Sequence, residues 1–161
     1  MPRTYEPITT QTLGSNQATI TLSSIPQTYT DLIIVANGAS TSGGSMIAKF
    51  NSDGGTNFST TYMYGDGSSA VAGNNTNRTG IDGPRNGVGS QGGGVMQVNN
   101  YSNTTTHKTM ISRQFGQDQI AWFSVGVWRN TAAITTISFT DESSGSFTTG
   151  FTITLYGIKA A

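Results

Sequence analysis

The chain contains no cysteine and only one histidine, His107. Disulfide bonds, thiolate metal sites and cysteine catalysis are therefore excluded, and a lone histidine cannot complete the ligand set of a zinc site. His107 follows a run of three threonines, and no G-x-S-x-G nucleophile elbow accompanies it. We interpret His107 as a solvated turn residue.

Charged residues are scarce. They make up 10% of the chain, with eight basic and eight acidic side chains, against about 25% in an average globular protein. A chain without a basic patch lacks the electrostatic attraction that nucleic acids and anionic membranes require, so we expect neither as a partner. Low surface charge also makes a free monomer poorly soluble, which favours a chain that assembles.

The few carboxylates do not form a recognisable catalytic or metal-binding set. Asp141 and Glu142 are the only adjacent pair, and neighbours on a strand point to opposite faces. The loop around Asp53 lacks the acidic density of a calcium site. Residues 87–92 match G-x-G-x-x-G, but two more glycines follow instead of a helix. We therefore expect no enzyme activity, no cofactor and no metal.

Long apolar runs are also missing. No stretch approaches the about 18 residues of a membrane-spanning helix, and the first six residues lack the apolar core of a signal peptide. These two observations predict a chain that is made in a cytoplasm and is soluble.

The residues that are abundant are those of strands and turns. Thr, Gly, Ser and Asn make up nearly half of the 161 residues, and good helix formers are few. Short segments of alternating or continuous apolar residues are separated by turn signals throughout the chain. They predict one all-β domain, residues 1–161, with eight to ten strands and no significant helix, built as a β-sandwich and within that class as a jelly roll. The predicted strands lie near residues 5–12, 18–22, 32–36, 46–50, 58–64, 95–101, 108–115, 121–128, 133–140 and 151–155.

Two of these strands carry specific predictions. Residues 32–36 are continuously apolar, which is typical of a central strand buried on both faces. The last strand alternates cleanly, so Phe151, Ile153 and Leu155 are predicted to lie in the core. Thr152, Thr154 and Tyr156 are predicted to point outward.

Residues 65–94 differ from the rest, with ten glycines and no aromatic residue. We predict a long Gly-rich arm or loop here, either ordered against a neighbouring subunit or mobile on the surface. Its charged residues are candidate partner contacts. They are Asp66, Arg78, Asp82 and Arg85.

Four large aromatic residues are the remaining candidates for partner contact. Tyr62 and Tyr64 share one face of a predicted strand, and Trp122 and Trp128 flank two small residues on another. Flat rings stack on sugar faces, so glycan binding is one interpretation. Aromatic residues in sandwiches also fill cores and subunit contacts, which is the alternative.

Several segments together resemble short virion structural proteins of tailed bacteriophages, especially those of cyanophages. The segments are residues 20–32 (ITLSSIPQTYTDL), 50–58 (FNSDGGTNF), 128–135 (WRNTAAIT) and 155–159 (LYGIK). The resemblance covers most of the chain in the same order, and residues 65–94 match least.

The resemblance implies a β-sandwich that assembles as a trimer and carries no catalytic motif. Similar proteins serve as capsid decoration or cement proteins, and similar modules occur in tail fibres and baseplates. The expected partners are further copies of the chain and the major capsid protein or other virion proteins, and the expected location is the virion, after synthesis in the host cytoplasm. The alternative is a tail fibre or baseplate component that binds a host-surface glycan.

Overall fold

The computed structural model describes residues 4–42, 44–88, 91–116 and 120–159, with the side chains of residues 85–88 outside that description. In these ranges the chain forms twelve strands and no helix. The strands are β1 (Tyr5–Thr12), β2 (Thr19–Leu22), β3 (Asp31–Ser40), β4 (Gly44–Phe50), β5 (Phe58–Gly65), β6 (Ala70–Arg78), β7 (Ile81–Val88), β8 (Gly92–Asn99), β9 (Lys108–Phe115), β10 (Ala121–Trp128), β11 (Ile137–Asp141) and β12 (Thr152–Ile158).

The strands form two antiparallel sheets. The large sheet has the order β1-β12-β3-β8-β9-β10-β5-β6, and the small sheet has the order β2-β11-β4-β7. Among the described strands, the sheets join where the end of β3 pairs in parallel with the end of β7, through Ala39 with Gly87 and Ser40 with Val88. The prediction of an all-β sandwich is confirmed.

The core lies between the two sheets and is built from the inward residues of alternating strands. Phe151, just before β12, and Ile153 and Leu155 on β12 are at most 1% exposed, whereas Thr152 and Thr154 are half-buried on the other face. The predicted faces of this strand are therefore correct. β12 pairs with β1 on one side and with β3 on the other, so it is an interior strand of the large sheet.

The number of strands exceeds the predicted eight to ten because residues 65–94 are not a long arm or loop. They contain β6, β7 and the start of β8. β6 pairs with β5, and β7 pairs with β4, where Ile81 and Asp82 are buried. Backbone pairing to well-formed neighbours holds these strands, although their Gly- and Asn-rich sequence has low strand propensity.

β3 also differs from its prediction. Leu32, Ile34 and Ala36 are buried, but Ile33 is half-buried and Val35 is 38% exposed. The small sheet covers one face of the large sheet, and no described element covers the other. A continuous apolar run therefore places part of its side chains on an open surface.

Candidate interaction surface

The face of the large sheet that points away from the small sheet, called the outer face here, carries a cluster of exposed apolar side chains. They are Val35, Met63, Ile111, Phe115, Phe123 and Val125, with exposed fractions from 38% to 58%. Their strands β3, β9, β10 and β5 are neighbours in the large sheet, with β8 between β3 and β9. Exposed apolar residues scattered singly are ordinary, but a contiguous group of this kind marks an interaction site.

The strand register shows that these side chains are contiguous. Met63 pairs with Phe123, which pairs with Arg113, which pairs with Val95, which pairs with Val35. Residues directly opposite each other on neighbouring strands point to the same face of the sheet. This row, apolar except for Arg113, therefore crosses five strands, or about 19 Å at the usual strand spacing.

A second row lies beside the first. Thr61, Val125, Ile111, Gln97 and Ile33 are paired in the same way. In these two rows Arg113 is the one charged residue. A cavity of about 580 Å³ opens along this part of the sheet, lined among others by Thr61, Ile111 and Val125.

Trp128, a predicted contact residue, lies in the core instead. It is 1% exposed, its ring packs 5.5 Å from that of Phe50 and 6.0 Å from that of Phe58, and its Nε1 donates a 2.7 Å hydrogen bond to Oδ2 of Asp53. It cannot contact a partner. Its position in the core agrees with the alternative that aromatic residues of a sandwich fill the core.

The small residues of β10 show why its tryptophan face turns inward. Ser124 is fully buried, and Ile81 of the small sheet packs directly onto Gly126. The absence of large side chains at these two positions lets the second sheet approach. Phe123 and Val125, on the opposite face, are consequently exposed.

Three of the predicted contact residues pack against one another. They are Tyr62, Tyr64 and Trp122. The Trp122 ring lies 4.6 Å from Tyr62 and 5.0 Å from Tyr64, with interplanar angles of 21° and 2°. The two tyrosine rings are 6.4 Å apart, which is too close for them to lie on opposite faces of the indole. Tyr62 and Tyr64 therefore contact Trp122 from the side of β5, and the three rings form one packed cluster.

This aromatic cluster adjoins buried polar atoms that have no hydrogen-bond partner among the described residues. They are the indole Nε1 of Trp122 and both amide atoms of Gln114, the residue opposite Trp122 on β9. A cavity of about 600 Å³ is lined among others by Tyr64, Gln114 and Trp122. Gln114 was not predicted as a site residue, because its burial depends on the sheet packing and not on its sequence neighbours.

Asp66 stabilises a turn. Its Oδ1 accepts hydrogen bonds from the backbone N–H groups of Ser68 (2.9 Å) and Ser69 (2.7 Å) at the tip of the β5–β6 hairpin. These backbone donors, with the two serine hydroxyls, hold the pKa of the Asp66 carboxyl well below its usual range. Its carboxylate is thus engaged within its own hairpin.

Arg78 and Asp82 bind each other. The Arg78 guanidinium lies 2.7 Å from Asp82 and 3.0 Å from Glu142. Asp82 is 2% exposed, and this burial raises its pKa despite the nearby cation. The ion pairs tie the end of β6 to β7 and to the turn after β11. The side chain of Arg85, the fourth charged candidate, lies outside the described residues.

The described residues contain no group of three or more His, Asp or Glu side chains that could hold a metal ion. In the same ranges there is no helix with the length and hydrophobicity needed to cross a membrane. His107 is exposed in the β8–β9 loop. Comparison with known proteins found no match, since no family model, no curated protein and no solved structure matches the chain.

Proposed function

We propose that the protein is a structural component of a phage virion that acts by assembly, as a trimeric capsid decoration or cement protein. In this proposal the outer face of the large sheet docks onto neighbouring shell proteins. The observation that carries the proposal is the contiguous, nearly uncharged apolar surface around Phe123, Val125 and Ile111.

The outer face is large enough for a stable interface. At the usual strand spacing and rise, eight strands of about eight residues span about 38 by 27 Å, or about 1,000 Å². A standard protein interface needs about 800 Å² from each partner. The outer face therefore supplies enough area for one such contact.

We infer that the sandwich is a jelly roll to which two pairs of strands have been added. The chain alternates between sheets so that β1, β12, β3 and β8 lie together opposite β2, β11, β4 and β7. This strand order supports a jelly roll, with two Greek keys folded across two sheets. The added pairs are β5 with β6 and β9 with β10, and they widen only the large sheet.

The added strands supply most of the apolar surface. Met63 lies on β5, Ile111 and Phe115 on β9, and Phe123 and Val125 on β10, so Val35 alone comes from the eight jelly-roll strands. An extension that mainly enlarges an exposed apolar face supports a binding role. In a cement protein this face binds across neighbouring shell subunits. Because it binds only the assembled shell, its binding free energy stabilises that shell without any chemical reaction.

Binding to phage particles that lack the protein tests the proposal. A Phe123→Ser/Val125→Ser double variant is expected to fold but to lose most of its occupancy on the particle in co-sedimentation. Val71→Ser is the matched control, because Val71 is equally exposed but lies on the opposite face of the large sheet. Unchanged occupancy of the double variant contradicts docking through the outer face, and a monomer mass in light scattering contradicts the trimer.

The second candidate is a tail fibre or baseplate component that binds a host-surface glycan. It is favoured by the unused hydrogen-bonding atoms of Gln114 and Trp122 beside the cavity at Tyr64. A glycan array separates the two proposals, since a cement protein gives no reproducible hits. Specific hits that are lost in Gln114→Ala support the second candidate.

A further inference from the structure

The exposed edges of the two sheets differ in how they are protected against pairing with another chain. β1 contains Pro7, which has no N–H group, and its pairing with β12 is interrupted by a register shift after Pro7. β2 has only four residues. β7 continues into the parallel pair with β3. Short strands, prolines and bulges are the ordinary means by which an edge avoids unwanted pairing.

β6 has none of these protections over most of its length. It forms the far edge of the large sheet and pairs only with β5 among the described strands. Residues 70–77 (AVAGNNTN) contain no charged residue and no proline, and their side chains are small. The regular part of the strand ends near Asn77, which has a φ of 55° next to a register shift. Residues 70–75 therefore present a regular, uncharged row of unpaired backbone groups.

We propose that β6 pairs antiparallel with β6 of a second copy of this chain, about a two-fold axis through Ala72. In this register Ala72 faces Ala72 of the second copy, Val71 faces Gly73, and Ala70 faces Asn74. All of these residues are small and uncharged, and no like charges meet. The contact uses residues 70–74 and so ends before the irregularity at Asn77.

The outer face supports this choice of partner and register. Ala72 is paired with Met63, so it is the last member of the apolar row that runs through Phe123 to Val35. Two-fold pairing through Ala72 joins this row to the same row of the second copy. The pleat excludes a register shifted by one residue, because that shift would place outer-face side chains opposite inner-face ones. A shift by two residues keeps the faces but does not join the row through Ala72 to its own copy.

The two charges nearest in sequence, Asp66 and Arg78, stay out of the contact. Asp66 is held in its own hairpin by the N–H groups of Ser68 and Ser69. Arg78 is held within its own chain by Asp82 at 2.7 Å and Glu142 at 3.0 Å. Two copies joined in this way form one continuous sheet of sixteen strands. The contact involves the edge of β6 and not the outer face, so it stands independently of the proposed function.

A single cysteine tests the pairing cleanly, because the chain has no cysteine of its own. In an antiparallel pair the facing Cα atoms lie about 4.5–5.5 Å apart, within the range that a disulfide bridges. Under mild oxidation Ala72→Cys is expected to form a disulfide-linked pair of chains on a non-reducing gel. Ala132→Cys is the control, because Ala132 is equally an exposed alanine but lies in the loop between β10 and β11.

A second variant checks the contact without a cross-link. Ala72→Pro removes one edge N–H group and is expected to halve the mass of the assembly in sedimentation velocity, with an unchanged circular dichroism spectrum. Asn74→Cys is expected to cross-link much less than Ala72→Cys, since in the proposed register residue 74 faces residue 70.

Three results would overturn the inference. They are cross-linking of Ala72→Cys no faster than that of Ala132→Cys, an unchanged mass for Ala72→Pro, and a wild-type chain that sediments as a monomer. Phe123→Ser/Val125→Ser serves to separate the two proposals. Cross-linking of Ala72→Cys in that background is expected to persist, so loss of particle binding with retained cross-linking leaves the edge contact standing.

Discussion

The indole Nε1 of Trp128 donates a 2.7 Å hydrogen bond to Oδ2 of Asp53, 75 residues away in sequence. Asp53 also accepts hydrogen bonds from the Asn57 amide (2.9 Å) and the Gly55 N–H (2.8 Å). These hydrogen bonds fix the turn between β4 and β5 to the aromatic cluster of the core. The turn carries the chain from the small sheet to the large sheet, so they also fix where β5 begins.

The first prediction concerns Asp53 and acid. Its hydrogen bonds with Asn57 and Trp128 hold the pKa of the carboxyl below its usual value. A lowered folded-state pKa means that this contribution to stability is complete above the unfolded pKa of about 3.9 and is lost as the pH falls through the folded value. Asp53→Asn is expected to be less stable than wild type at pH 7, and the difference is expected to shrink toward pH 2. Chemical denaturation across this range measures it, and a constant difference contradicts the assignment.

The second prediction concerns the contact between the sheets at Gly126. A Cβ atom there would lie 2.5 Å from Cδ1 of Ile81 and 2.9 Å from the backbone oxygen of Ser59. Gly126→Ala is therefore expected to lower the free energy of unfolding by about 1–3 kcal/mol through overpacking. Gly14→Ala is the control, because a Cβ at Gly14 meets nothing within 4 Å. Equal midpoints of thermal unfolding for the two variants would count against the packing.

The third prediction concerns the ion pair between Arg78, at the end of β6, and Asp82 on β7. Arg78→Ala leaves the buried Asp82 carboxylate without its cation, which is expected to cost about 3 kcal/mol at pH 7. Without Arg78 the pKa of Asp82 in the folded protein rises further above its value in the unfolded chain. The contribution of Asp82 to folding stability is then complete below the unfolded-state pKa and is lost as the pH rises through the folded-state pKa. The deficit of the variant is therefore expected to be smaller at pH 4 than at pH 7. Arg78→Lys is expected to retain much of the stability, and a deficit independent of pH contradicts the mechanism.

The fourth prediction uses the two faces of β12. Phe151→Asp and Ile153→Asp place a carboxylate in the core and are expected to prevent folding. Thr154→Asp is expected to fold, because Thr154 lies on the other face, where its hydroxyl is 3.1 Å from that of Thr10. Circular dichroism and soluble yield compare the three variants. The same behaviour in all three would show that the faces are assigned wrongly.

The strands with period-two alternation could be predicted from the sequence, since alternation reports directly on one buried face. β9, β10 and β12 are examples. β6 and β7 could not be predicted, because residues such as Asn74, Asn75 and Gly83 have low strand propensity and show no alternation. These strands exist because the backbone of β5 and of β4 lies beside them, and sequence propensity carries no information about such neighbours.

The interaction surface was harder to predict than the fold. Alternation in β10 separates two faces but does not say which one is inward, and both contain large rings. The small residues Ser124 and Gly126 were the available signal, because a residue without bulk inside a strand often marks the close approach of another element. The apolar run of β3 similarly gave no indication that Val35 would be exposed, since that depends on the width of the second sheet.

The position of β12 between β1 and β3 has a consequence for synthesis on the ribosome. Thr10 of β1 contacts Thr154 of β12, which is made 144 residues later. At about 5–20 residues per second, the two N-terminal strands of the large sheet wait roughly 7–30 s for the strand that joins them. During this interval the edges of β1 and β3 that pair with β12 are open to other chains, and the emergence of β12 ends that exposure.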